Sequence, residues 1–540
     1  MKNEHLKFVM VMVIVSFGHT SFAQQSIQVI NDKMPALIKH MALVPIGRLD
    51  TTLNLNLEIT LPLRNQQVLL NTRQQLCDPN STDYQHYLSP QDFTSRFGPT
   101  VLDYKSLIDF VSAKGLQVVQ THNNRMMIDV KAPVSLIEKV FHVHLLTYKH
   151  PTEDRQFFAP DTAPSIDATI PVLAIPGLNN YTLPHPGIKV LIPKTQSAVG
   201  GTGSARVLPG YYWGADFAAA YAHGVTLNGK GQKVGLVEFD GYDANDITYY
   251  EKQAGLPNVL PSVPLSNRLL DGSTGLPIGD GGDFDAEVCG DIEMAISMAP
   301  GLDSVVVFEE NINLLDNGDH ILAAMASDSS VRQLSSSWDF DVNANTENLF
   351  IELQMQGQSF FVYSGDFDAN TMTRLCQDPN ITVVGGTDLI TSGAGGQWSS
   401  EYVWNIGYYE PLGSYVGTAG GYNADFNIPI PSWQQGVSMN TNQGSVTWRN
   451  VPDVAMAATN IYIRFDGLDR GWMGTSASAP LWAGFTALVN QQRQSLNAPP
   501  IGFLNPAIYA IGKGTRYTSD FNDIAQYYVC LLYTSPSPRD

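Results

Sequence analysis

The chain has 540 residues, 44% of them hydrophobic and 15% charged, and carries a net charge of -20 at pH 7. Its length exceeds one ordinary domain of roughly 100 to 200 residues, so at least two cores are expected. The composition excludes a disordered chain, and the lack of a basic stripe excludes nucleic acid as a partner.

Lys2 and Lys7 flank the start of the apolar run from Phe8 to Phe17, and Ser21-Phe22-Ala23 forms a small-x-small triplet before Gln24. The pattern predicts a Sec-type signal peptide over residues 1–23, and so a secreted or periplasmic protein. The apolar run is short of the ~20 residues a spanning helix needs, so no membrane span is expected once the signal is removed. Cys77, Cys289, Cys376 and Cys530 are too few and too scattered for a disulfide scaffold.

From Leu53 to Leu63 every second residue is Leu or Ile, the period of a strand with one buried face. Ser89, Pro90 and Asp92 form a capped helix start, and a second helical pattern runs from Val101 to Lys114 and stops at Gly115. Strands follow at Leu116–Val119, Met126–Val130 and Val143–Tyr148, with a short helix bearing Leu136, Val140 and Phe141 before the last. This order predicts an α+β domain of the ferredoxin-like kind, which we place at residues 24–182.

Residues 183–208 are rich in Gly, Pro and Ser and read as a linker open to proteolysis. Beyond it, apolar strands at Val234–Phe239, Ser304–Phe308, Val331–Trp338, Phe360–Tyr363 and Ile381–Val384 alternate with helical stretches. They predict an α/β domain over 209–528, with a parallel sheet whose site lies at the carboxyl ends of its strands.

Gly474-Thr475-Ser476-Ala477-Ser478-Ala479-Pro480 opens an apolar helix, and a serine at a helix N-terminus sits where free amides favour an oxyanion. The same pattern of Gly-Thr-Ser with Pro four residues after the Ser is the serine signature of subtilisins. A serine nucleophile needs a base. Of eleven histidines only His223 and His320 lie in the second domain, and neither falls where a subtilisin places its His. Glu287 and Asp291 stand four apart on one helix face and can share a proton, leaving a base that works in acid. Ser364-Gly365-Asp366 follows an apolar strand, and a protonated Asp366 can donate to an oxyanion.

The Glu-x-x-x-Asp helix before Ala299-Pro300-Gly301, the strand ending in Ser364-Gly365-Asp366, Val384-Gly385-Gly386-Thr387 and the Gly474–Pro480 heptapeptide together resemble the sedolisins (serine-carboxyl peptidases). Ser89-Pro90-Gln91-Asp92-Phe93, Arg96-Phe97-Gly98-Pro99 and Asn124-Arg125 resemble the activation domain of kumamolisin-like proenzymes. The resemblance implies a subtilisin-like peptidase fold behind a prodomain that inhibits its own chain. It implies Ser476 as nucleophile, Glu287 as general base, Asp291 as its partner and Asp366 as oxyanion donor. Ser335, Ser337 and Trp338 resemble the strand that pairs with bound peptide, with Asp339 where the family has Gly. Gly290 stands where Leu is common, a residue that costs a helix about 1 kcal/mol.

Asp523 and Ile524 resemble half of the family's calcium site, its remaining ligands having no counterpart, and residues 529–540 read as a non-native tail. The resulting expectation is a secreted, acid-acting, self-activating serine endopeptidase acting on polypeptides. A tripeptidyl exopeptidase, a neutral His-based peptidase and an inactive binding protein on the same fold are the alternatives.

Overall fold

A computed structural model of the chain describes residues 27–187, 190–193, 198, 200–256, 262–278, 284–312, 318–437, 439 and 443–524. The expected signal peptide, the tail at 529–540 with Cys530, and parts of the linker lie outside the described residues.

In the first domain the alternating segment forms β1 (Asn54–Thr60), burying Leu55, Leu57 and Ile59 on one face. The polar face is buried too: Glu58 lies 3.6 Å from His320 of the second domain, and the Thr60 hydroxyl donates to the Ala174 carbonyl at 3.2 Å. Helix α1 (Gln66–Cys77) follows, then α2 (Pro90–Arg96), whose Ser89 hydroxyl accepts from the Asp92 amide at 3.1 Å. Helix α3 (Val101–Lys114) is capped by Thr100 and ends at Gly115, which takes the left-handed conformation. Next come β2 (Gln117–Thr121), β3 (Met127–Pro133), α4 (Val134–Phe141) and β4 (Leu145–Lys149). The antiparallel order β1-β3-β2 is that of three ferredoxin strands. The fourth, β4, pairs with Gly47–Arg48 just upstream of β1, in a second small sheet.

The linker contributes β5 (His185–Pro186). The second domain is built on an eight-stranded sheet. Its strands are β6 (Lys233–Glu238), β7 (Leu265–Leu269), β8 (Ser304–Glu309), β9 (Gln333–Ser336), β11 (Ser359–Tyr363), β12 (Thr382–Thr391), β13 (Trp398–Val403) and β14 (Val454–Ala457). They run in the order β7-β8-β6-β9-β11-β12-β13, with β14 also paired to β12, and every pair is parallel except β12 with β13. The short β10 (Trp338–Asp339) leaves this sheet to pair with β5. Helices α5 (Phe284–Met298), α6 (Asp319–Ser327), α7 (Ala344–Met355) and α8 (Thr475–Ser495) pack around the sheet, α5 lying against α8. This is the α/β architecture expected, behind an α+β prodomain.

The first domain has its own core around Leu57, Ile59, Leu107, Val130 and Phe141, and a second set of its apolar residues joins the core of the other domain. Leu63, Leu69, Phe93, Phe97, Met126 and Met127 of the first pack into the main cluster of the second.

Candidate active site

Helix α5 carries Glu287 and Asp291 one turn apart, both fully buried. Strand β6 ends at Glu238, also buried, whose carboxylate accepts from the Trp338 indole at 2.8 Å. The Ser337 hydroxyl donates to Asp291 Oδ1 at 2.7 Å. Burial lifts the Asp291 carboxyl well above the usual range, and the charges of Glu238 and Glu287 lift it further against the Ser337 bond. Burial lifts Glu238 as well, with the indole opposing and Glu287 adding. Acids crowded in this way hold protons rather than ionise together.

Ser476 is the second residue of α8 and fully buried, and its hydroxyl has no hydrogen-bond partner among the described residues. Pro480 explains part of the local geometry. It has no amide to give the carbonyl four residues back, which is that of Ser476. That carbonyl instead accepts from the Ser337 hydroxyl at 3.1 Å, tying the helix start to the Asp291 side of the cluster.

Asp366 sits at the N-terminus of α8, its Oδ1 accepting from the Thr475 amide and hydroxyl, both at 2.7 Å. These bonds satisfy helix-end donors that otherwise have no partner. The turn that delivers Asp366 from β11 needs Gly365, whose φ is +102°.

The linker enters this site. β5 pairs antiparallel with β10, Pro186 opposite Trp338 and His185 opposite Asp339, and the Gly187 amide donates to the Ser337 carbonyl at 3.2 Å. A Cβ on Gly187 would lie 2.6 Å from Asp366 Oδ2 and 2.7 Å from Ser476 Oγ. A peptide backbone therefore passes directly over the serine and the aspartate.

Of the residues singled out in the sequence, Ser476, Glu287, Asp291, Asp366, Ser337 and Trp338 fall in or beside this cluster. Ser335 stays within the central sheet, paired between β6 and β11, and does not pair with the linker. His223 is exposed, and His320 is bound on both ring nitrogens by Asp129 and Asp271, so neither is bonded to the serine. Glu238 was not singled out. Its signal was a charged residue closing an otherwise apolar strand at the carboxyl edge of the sheet.

Residues 42–181 match the family described as Pro-kumamolisin, activation domain. The chain is 28% identical to kumamolisin of Bacillus sp. (strain MN-32), over 81% of this chain and 80% of that protein. It is 24% identical to sedolisin of Pseudomonas sp. (strain 101), over 88% and 82%. The chain is similar to the sedolisin-type peptidases along most of its length. Among solved structures, Pseudomonas sedolisin (serine-carboxyl proteinase) complexed with two molecules of pseudo-iodotyrostatin aligns with a TM-score of 0.46 and 21% identity, over 59% of this chain and 87% of that chain. The matched residues 42–181 lie inside the span 24–182 expected for the prodomain from sequence.

Calcium takes about six to eight oxygen ligands. Asp523 accepts from the Tyr517 hydroxyl at 2.9 Å and joins none of the ligand clusters found among the described residues. Asp523 and the Ile524 carbonyl fall short of that number, so the described set does not fit the ion. No helix among the described residues is long and apolar enough to cross a membrane.

Proposed function

We propose that the protein is an acid-acting serine-carboxyl endopeptidase, exported as a zymogen that cuts its own linker after Gly187. The observation that carries the reading is the linker strand, held by β10 with Gly187 over Ser476 and Asp366. In the proposed reaction Ser476 Oγ attacks the carbonyl carbon of the bound residue while its proton passes to Glu287. The oxyanion is held by the Ser476 amide and by a protonated Asp366. As the C–N bond breaks, Glu287 returns the proton to the leaving amine, and water then hydrolyses the acyl-enzyme by the same route. Asp291 and Glu238 keep the base's surroundings protonated. As pH rises through their raised values the cluster ionises and repels, so rate falls on the alkaline side. An imidazole base would instead gain rate as it loses its proton above roughly pH 6.5.

The endopeptidase mode is supported by the path of the linker, which continues upstream of His185 through Pro184 and Leu183. A tripeptidyl mode requires a free amine at the His185 position.

The test is turnover of an internally quenched, N-acetylated peptide across the acid and neutral range, after acid incubation. Activity confined to the acid side and lost in Ser476→Ala and Glu287→Gln is expected, with a mature chain beginning at Ile188 by N-terminal sequencing. No turnover at any pH with the prodomain removed would leave the binding-protein reading. Cleavage of free-amine peptides alone would make it a tripeptidyl peptidase.

A further inference from the structure

The family's peptide-pairing strand has Gly where this chain has Asp339, and the structure gives that carboxylate a definite neighbour. In the antiparallel register of β5 and β10, Asp339 lies directly opposite His185. Cross-strand partners project from the same face, within reach of one another. His185 Nε2 lies 3.6 Å from Asp339 Oδ2. The other oxygen, Oδ1, accepts from the Thr373 hydroxyl at 2.7 Å, which fixes the carboxylate's orientation. Asp339 is almost wholly buried (7% of its side chain exposed) while His185 is 56% exposed, so a fixed anion faces a replaceable side chain. Asp341 adds a second acid nearby. The adjacent cation, Arg374, is already bound to Glu347 and Asp378.

We propose that Asp339 is a specificity-determining residue that selects a cationic side chain, Arg, Lys or protonated His, at the third position before the cut bond. This rests on the peptidase reading above, with Gly187 immediately before the cut and His185 third. The linker is the chain's own first substrate, and it presents an imidazole to Asp339 at that position. A neutral or acidic residue there leaves the oriented carboxylate without a cation. A half-exposed ion pair of this kind amounts to about a fivefold preference.

The test uses the mature enzyme and three quenched peptides that differ only at that third position: Arg, Leu and Glu. Burial raises the Asp339 carboxyl while His185 opposes it, so ratios of kcat/KM are taken at the upper end of the active pH range. The expected order is Arg, then Leu, then Glu, with Arg over Leu about fivefold. In Asp339→Asn, which keeps the side chain's size, the ratio falls to near one. Each ratio is read within one protein, so a general loss of rate cancels. Where Asp339→Asn does not accumulate, the wild-type ratio is measured against salt, and an ion pair at a half-exposed site loses preference as salt rises. Equal turnover of the Arg and Leu peptides by wild type, or a ratio unmoved by both substitution and salt, overturns the proposal. Failure to cut any of the peptides is the distinct failure of the peptidase reading.

Discussion

At the residue scale, Gly290 illustrates how a cost visible in sequence is absorbed by packing. A glycine inside the helix bearing Glu287 and Asp291 gives up about 1 kcal/mol of helix propensity. The space a side chain would need is taken by Trp472, fully buried, with ring atoms 2.7 Å from where the Cβ would stand. The indole therefore braces α5 from the side, and the carboxylate geometry does not depend on the propensity of position 290. Restoring the family's residue is expected to harm the protein. Gly290→Leu forces the indole or the helix to shift, an overpacking cost of about 1 to 3 kcal/mol that outweighs the propensity gained. A lower Tm with reduced turnover is the expected outcome. A raised Tm would mean that Trp472 has room to turn.

At the scale of elements, legibility followed the solvent each face meets. Strands β6, β8 and β11 are buried on both faces and stand out in sequence as apolar runs, whereas β9, Gln-Leu-Ser-Ser, is equally buried with one apolar residue. Strand β7, Leu-Ser-Asn-Arg-Leu, is an edge with mostly exposed side chains and left no such run. Helix α1 was missed for a related reason: Leu69 and Leu76 are its only buried residues, too few to mark a stripe against its polar positions. The paired carboxylates on α5 and the serine on α8 were legible because motif order carried them. What sequence could not convey was convergence across elements. Glu238 on β6, the Trp338 indole on β10 and the linker strand come together only through the sheet order. His320, at the start of α6, faces Glu58 and Asp129 on prodomain strands β1 and β3.

At the scale of the whole molecule, that contact makes prodomain docking depend on pH in two opposing ways. His320 Nε2 meets Asp129 at 2.7 Å and Nδ1 meets Asp271 at 2.5 Å, while His122 meets the other Asp129 oxygen at 2.9 Å. Asp129 thus faces an imidazole on each of its two oxygens, and the clasp depends on the charge of that carboxylate. Burial alone would raise Asp129, but the bonds from His122 and His320 outweigh it and hold the group below its ordinary 3.8. Its contribution is therefore present above that value and lost as pH falls through the depressed one. Glu352 on α7 acts in the opposite direction. It accepts from prodomain Asn124 at 3.1 Å, and burial raises it to about 7 against the Asn124 and Gln356 bonds. Docking then takes up a proton, so acidification from about 7 toward the ordinary 4.5 tightens it. Together the two groups keep the prodomain seated through mild acid and release it only in strong acid. In full-length Ser476→Ala protein, hydrogen-exchange protection of β3, corrected for intrinsic rates, is expected to hold or rise from neutral to mildly acid pH and to collapse below about pH 4. Asp129→Asn should lower protection already in mild acid and flatten the collapse, and Glu352→Gln should remove the rise, each by roughly tenfold per unit of pKa shift. Protection that falls steadily from neutral pH in wild type would show that neither group governs release.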